Sequence, residues 1–491
     1  MEKILTKKLR AIFLILITAA VLFAVSCGDE PDVPGNGSGT PGVPGTNGTQ
    51  EAALTEADEY EFPEVDFEGY VMRLLTISDE VWAITAMDAE SQTGEPVNDA
   101  IFRRNRMVEE ALNIVIQEIP AQAQAHDMLA RSVRAGLDEY DLMFAHARSS
   151  APLASLGYYI NLHDINSLNL DRSYWDQNAI EAFEIMGKLY FMTSDANVMT
   201  FESIWALYFN TRMHEDLGLD CPYTLVREGR WTIDVMHGMA RAAARDLDGD
   251  GVFTEADQWG IASTALAFIQ FLTCQGEPLI GRDADNLPVL VEPNERFVRA
   301  YSNVRDMLDA TAGLHLASGI FGRTAYSMFM DNMSLFLSEV LGVSRIFREM
   351  TADFGLLPHP KFDENQPTYL NATAHVVPIL SIPITNPDPE RTGVFIDALT
   401  ALTATTVTPA YYTISLEGKF TRDEDSVEML DIMRSNITFD LALIYNWDNF
   451  HRTFRDHITS PDGENPMTVF EIHGDRVTAQ IQETIEFFRE R

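Results

Sequence analysis

Asp246 to Asp257 reads DLDGDGVFTEAD, a run of carboxylates at the spacing that can encircle a hard cation. Asp246, Asp248 and Asp250 take positions 1, 3 and 5 of the loop, Gly251 the tight turn, the Val252 carbonyl position 7, Thr254 position 9 and Asp257 position 12. Oxygen donors in this order suit Ca2+ far better than Zn2+, which is usually held by nitrogen and sulfur. Asp at position 12 reaches less far than Glu would, which weakens bidentate ligation there. A calcium sensor needs a helix on both sides of its loop. Here WTIDVMHGMARAAARD (231–246) enters as a helix with Thr232 as N-cap, whereas WGIASTALA (259–267) leaves extended. With no second helix to swing open, the expected role of Ca2+ is structural.

Other chemistry has less to start from. No G-x-S-x-G, H-E-x-x-H or P-loop occurs, and the 11 histidines are scattered, so triad and zinc catalysis lack a motif. Glycoside hydrolysis needs only two facing carboxyl groups, and among 74 acidic residues such a pair is not legible. A non-catalytic role is the expectation, with a secreted carbohydrate-active enzyme as the alternative. The formal charge of −39 opposes nucleic acid or an anionic membrane surface as partner. Besides Cys27 only Cys221 and Cys274 remain, which either pair or are buried free thiols.

The elements that must position these residues alternate in type. YVMRLLTIS (70–78) reads as a strand, AIFRRNRMVEEAL (100–112) as an amphipathic helix, NIVIQEI (113–119) as a strand, QAHDMLARSVRAG (124–136) as a helix stopped by Gly136, and YDLMFA (140–145) as a strand. KLYFMTSD (188–195) looks like a further strand, and SIWALYFNTRMHEDLG (203–218) like a strand running into a helix that Gly218 ends. Alternation of this kind implies a parallel sheet covered on both faces, with ligands outside the carboxyl ends of its strands. Two such ends carry polar or aromatic residues: Ser78 to Trp82 at the end of the first strand, and His146 to Ser150 after the third.

The first residues are a targeting signal. Lys3, Lys7, Lys8 and Arg10 precede an apolar run from Ala11 to Phe23, too short to span a bilayer, for which about 20 residues are needed. Ala24-Val25-Ser26-Cys27 follows and resembles the lipobox of bacterial lipoproteins, although Ala24 stands where Leu is usual. The resemblance implies a lipid on Cys27, cleavage before it, and a chain held at the outer face of the cytoplasmic membrane. The Gly/Pro/Asn/Thr-rich stretch after it has little to bury and reads as a flexible tether. Roughly 40 residues at about 5–6 Å × √n would reach about 30–40 Å.

In order and spacing, SIWALYFNTRMHEDLGL (203–219), GRWTIDVMHGMARAAARDLDGDG (229–251), DQWGI (257–261), YSMFMDNMSLF (326–336), FGLLPHPKFDE (354–364) and IPITNPDPERTGVFIDALTAL (382–402) resemble the family 1 extracellular solute-binding proteins of sugar ABC transporters. The resemblance implies an α/β, periplasmic-binding-protein-like fold of two lobes joined by hinge strands around a ligand cleft. It divides the chain into signal peptide (1–26), lipidated Cys27 and linker (27–65), first lobe (66–204 plus 372–418) and second lobe (205–371 plus 419–491). It implies a monomer that captures a carbohydrate, an oligosaccharide by expectation, and presents it to the transmembrane subunits of an ABC permease. A surface sensor in place of the permease is the alternative partner. Sugar rings need aromatic faces and bidentate polar groups. The candidates are Asp79 and Trp82, Arg148, Trp175 and Asp195, Trp205 on the crossing strand, Asp331 and Asn332, and Tyr411 and Trp447 in later segments. Met333 stands where some maltose-binding relatives carry a stacking Trp, a departure from their specificity. Trp231 is expected in the core, and Trp175 and Trp447 are as consistent with burial as with a ligand face.

Overall fold

Short apolar runs bounded by turn residues form the strands. In chain order these are β1 (Tyr70–Thr76), β2 (Ile114–Pro120), β3 (Leu142–His146), β4 (Trp205–Asn210), β5 (Trp259–Ser263), β6 (Ile280–Arg282), β7 (Pro288–Leu290), β8 (Leu314–Leu316), β9 (Ser334–Val340), β10 (Phe354–Leu357), β11 (Asn371–Ala372), β12 (Pro378–Ser381) and β13 (Ile437–Thr438). The structure, a computed structural model, describes residues 60–77, 87–308, 314–316, 325–414 and 425–491. The expected signal peptide, Cys27, most of the tether, Asp79 and Trp82 lie outside them.

One sheet has the order β12-β3-β1-β2, with β1 parallel to β2 and β3 and only β12 reversed. The second has the order β10-β4-β9-β5-β8, with β5 parallel to β8 and β9, and β4 antiparallel to both β9 and β10. In each sheet the parallel strands therefore end along one edge. That edge is where a ligand meets open sheets of this kind.

The helices between the strands begin and end where their residues allow. The helix Pro96–Leu112 starts earlier than the expected Ala100, because Pro96 tolerates the first turn and the Glu95 carboxylate accepts from Asn98 N at 2.8 Å. Asn113 ends it in the left-handed region, and Gly218 ends Thr211–Leu217 in the same way. Thr232 precedes the helix Ile233–Ala243, but its side chain makes no capping bond, so the expected cap is one of position only. KLYFMTSD makes single bridges, Ile185–Lys188 and Met192–Leu380, in place of a strand, since the chain turns at Ser194–Asn197.

Two packing results depart from the sequence reading. Order starts before the expected residue 66: the Tyr60 ring meets Phe62 edge-on at 5.2 Å and Tyr174 at 6.4 Å, and both residues pack on the core. Cys221 and Cys274 are both free, and Cys221 is exposed rather than buried. Trp231 is in the core as expected, with its Nε1 donating to Pro358 O at 3.0 Å. Among the described residues no helix is long and apolar enough to cross a membrane.

Candidate functional site

The two sheets meet at two crossing segments. Ile204 and Thr373 form an antiparallel bridge there, and Ser203 O accepts from Ala374 N at 2.8 Å. Immediately after β9 ends, Leu341 N donates to Ile204 O at 2.9 Å. Immediately after β3 ends, Ala147 N donates to Val377 O at 2.9 Å and Arg148 N to His375 O at 3.5 Å. The carboxyl ends of β3 and β9 thus both abut the crossing, which makes it the place for a ligand. Trp205 Nε1, Ser203 Oγ and Thr373 Oγ1 are buried at this point without a protein partner. Each is a polar group that a hydroxyl-bearing molecule could satisfy.

Charged pairs brace the same region. Glu202, buried beside the crossing, pairs with Arg345, and Asp195 pairs with Arg434 at 2.6 Å. The Arg434 guanidinium also lies over the Phe201 ring at 4.7 Å. Glu339, next to last in β9, has its carboxyl pushed up to about 7 by burial, so near neutrality it is shared between acid and anion.

The carboxyl edge of the first sheet gathers basic side chains. His146 closes β3, Arg148 lies in the turn Ala147–Ser150, and His375 sits on the returning segment. His451 and Arg455 stand on the helix Phe450–Ile458, whose neighbour Leu441–Tyr445 packs on the Arg148 turn. Burial, and then the charges of Arg455 and Arg452, lower the Arg148 pKa. Burial followed by Arg148, His146 and Arg455 holds His375 down to about 3. His451 is likewise held to about 3 by burial and then by His375, Arg148 and Arg455. Both rings are therefore neutral near pH 7. Arg455 bonds Asp456 on its own helix at 2.9 Å, whereas no carboxylate pairs with Arg148 among the described residues. Sequence reasoning singled out His146 to Ser150 and missed His375, His451 and Arg455. A partial signal exists in FHRTFR (450–455), where His451 and Arg455 fall four apart on one helical face.

Several sequence candidates are spent elsewhere, and the expectation that they face a ligand is corrected. Trp175 is 1% exposed and its Nε1 donates to Asp397 Oδ1 at 3.0 Å. Trp447 stacks on Tyr445 at 4.7 Å and donates to Thr484 Oγ1 at 3.0 Å. Tyr411 is buried and stacks on Phe201 at 5.7 Å, in a small core with Val97, Ile101 and Val407. In each case the ring is committed to packing, which leaves no face for a sugar. Asp331 and Asn332 fail for a different reason. They occupy the turn before β9, where Asn210 Nδ2 donates to Asn332 Oδ1 at 2.6 Å. That turn is the amino end of a strand that rises about 3.3 Å per residue, roughly 20 Å from the crossing. Arg148, Asp195 and Trp205 are the described candidates that remain near it.

DLDGDG lies on that same far edge. Ile233–Ala243 leads in, an antiparallel Arg245–Gln258 bridge closes the base, and β5 leads out, so the expected helix-then-strand pattern is present. Asp246 accepts from Gly249 N and Gly251 N, each at 2.7 Å, and both glycines have positive φ, 75° and 83°. Asp257 accepts from Leu247 N at 2.8 Å and Thr254 N at 2.7 Å. One oxygen from each of Asp246, Asp248 and Asp250 lies within 4.8 Å of the others. The Asp250 amide favours the Asp248 anion, yet lost hydration and the Asp250 and Asp257 charges raise its pKa on balance.

Two sheets whose carboxyl edges abut paired crossings define the periplasmic-binding-protein-like fold, and solved structures of that class match this chain. An ABC substrate-binding protein from Listeria monocytogenes in complex with cycloalternan is 12% identical with TM-score 0.55, over 85% of this chain and 100% of that one. A sugar transporter from Rhizobium etli in an open conformation is 14% identical with TM-score 0.56, over 85% and 99%. An ABC solute-binding protein from Thermotoga lettingae bound with α-D-tagatose is 14% identical with TM-score 0.54, over 85% and 100%. No family model and no curated protein matches the sequence.

Proposed function

We propose that this chain captures a carbohydrate and delivers it to an ABC importer. The observation that carries the reading is the fold likeness, which spans the full length of a cycloalternan binder and a tagatose binder. The buried, unpartnered polar atoms of Ser203, Trp205 and Thr373 at the crossing support it, since a polyhydroxylated ligand offers partners for such groups. Closure of the two lobes around the sugar would present it to the permease. The chain acts by binding rather than catalysis, as a monomer, held outside the cytoplasmic membrane by a lipid on Cys27. Asp79, Trp82, Arg148, Asp195 and Trp205 are the proposed first contacts.

Ca2+ belongs to the same proposal as a structural ion at Asp246, Asp248, Asp250, the Val252 carbonyl, Thr254 and Asp257. The oxygen-only donor set and the gathered carboxylates support it. Its place at the amino end of β5 supports a structural role over a part in ligand capture.

A thermal-shift screen of mono- and oligosaccharides, with calcium present, tests the function. Stabilisation by a saccharide supports it; a response confined to peptides or polyols rejects it. Trp82→Ala is expected to weaken saccharide binding by about 1 kcal/mol while leaving the melting temperature in place. Unchanged affinity would remove Trp82 from the site.

A further inference from the structure

We propose that the basic side chains at the carboxyl edge of the first sheet, Arg148 foremost, hold the anionic group of an acidic saccharide, either a carboxylate or an ester sulfate or phosphate. The inference rests on the carbohydrate reading above and narrows its ligand class. Arg148, His375, His451 and Arg455 come from three separate segments: Arg148 N donates to His375 O at 3.5 Å, and Leu441–Tyr445 packs on both the Arg148 turn and the helix that carries His451 and Arg455. Burial and neighbouring charge also perturb three of the four. The chain carries 74 acidic residues against 35 Lys and Arg, yet no carboxylate is paired with Arg148 among the described residues. In a molecule so rich in acids, a half-buried guanidinium with no carboxylate partner among the described residues carries an electrostatic cost that the paired Arg455 does not. Perturbed groups of this kind collect where a ligand supplies the missing charge.

The residue types suit that ligand. The Arg148 fork matches the planar oxygens of a carboxylate and those of a sulfate or phosphate ester. His451 Nε2 is buried without a partner, and His451 itself is 4% exposed, so a donor or acceptor is held ready inside the cluster. A metal is the competing occupant of any gathering of histidines. Among the described residues, though, the only three ligand atoms drawn together are those of Asp246, Asp248 and Asp250. An anion among these groups would offset part of the local positive charge. It would also raise the His375 and His451 pKa values against the surrounding Arg148, Arg452, Arg455, His146 and Asp456, so binding at acid pH would be accompanied by proton uptake.

Calorimetry on the full chain at pH 7 and fixed salt tests this. The probes are an oligogalacturonate, a sulfated oligosaccharide, the neutral parent of each, and sodium acetate, sulfate and inorganic phosphate. One acidic saccharide is expected to bind at least tenfold more tightly than its neutral parent, and Arg148→Gln to abolish that preference. Arg455→Gln serves as the second variant should the first fail to fold. Which acidic saccharide responds separates the carboxylate from the ester. If neutral and acidic sugars bind equally, this inference falls while the carbohydrate reading stands. If acetate, sulfate or phosphate alone bind as tightly as any saccharide, the cluster is a simple anion site and the inference also falls. If no saccharide binds, both fall together. Histidine NMR gives an independent check: the bound acidic saccharide is expected to move the His375 and His451 titrations upward, and unmoved titrations would count against contact.

Discussion

The DLDGDG loop and the Arg148 cluster are opposites in charge, in position and in how they are made. The loop gathers its carboxylates from twelve consecutive residues and lies at the amino end of β5. The cluster takes its basic side chains from β3 and its following turn, the returning segment and a C-terminal helix, and lies at the carboxyl end of the first sheet. Local sequence suffices to build a cation loop, because the turn supplies the geometry. A site at a sheet edge needs distant segments to converge. Of the two, the conspicuous motif is remote from the crossing, and the inconspicuous one touches it.

That contrast can be broken or sharpened by experiment. The largest effect of a single substitution is expected from Trp175→Ala, in the packed core that neither region includes. It removes a buried ring and a donor to Asp397, which also accepts from Asn169 N, Asn169 Nδ2 and Tyr174 OH. A stability loss of about 3–5 kcal/mol in urea unfolding is expected. A selective loss of ligand affinity, with stability intact, would return Trp175 to the cleft.

Acid is expected to act next. His375 and His451 have folded pKa values of about 3 against 6.5 for the free side chain. Below pH 6.5 the unfolded chain takes up protons that the folded rings refuse. Stability therefore falls as pH drops from about 6.5 toward 3, by about 1.4 kcal/mol per pH unit for each such ring. His359, also held to about 3 by burial, adds to the slope. Arg148→Gln should flatten it, because removing the cation lifts the two neighbouring pKa values. A slope unchanged in that variant would show that burial alone sets them. In the absence of ligand and at neutral pH, the same variant is expected to be neutral or to gain up to about 1 kcal/mol, since a partly buried, unpaired charge is lost.

The smallest effect is expected at the loop. Asp246→Asn should abolish any rise of the melting temperature with added calcium and leave saccharide affinity unchanged. Loss of affinity would join the two regions functionally and end the contrast between them.

Apolar period and turn residues are local properties, so the alternation of strands and helices is written along the chain. β1, β2, β3, β4 and the helices around them stand close to where the periodicity places them. The loop is written there too, as is the absence of a second helix after it. Only the tertiary structure decided which polar and aromatic residues reach the crossing. Trp175, Trp447 and Tyr411 look in sequence like any cleft aromatic, and partners far along the chain, Asp397, Thr484 and Phe201, bury them. Asn332 was placed by the direction in which β9 runs, which depends on its pairing with β4 and β5. His375 and His451 become a site only when Arg148 is brought to them, since a charge interaction depends on distance in space and not on separation along the chain.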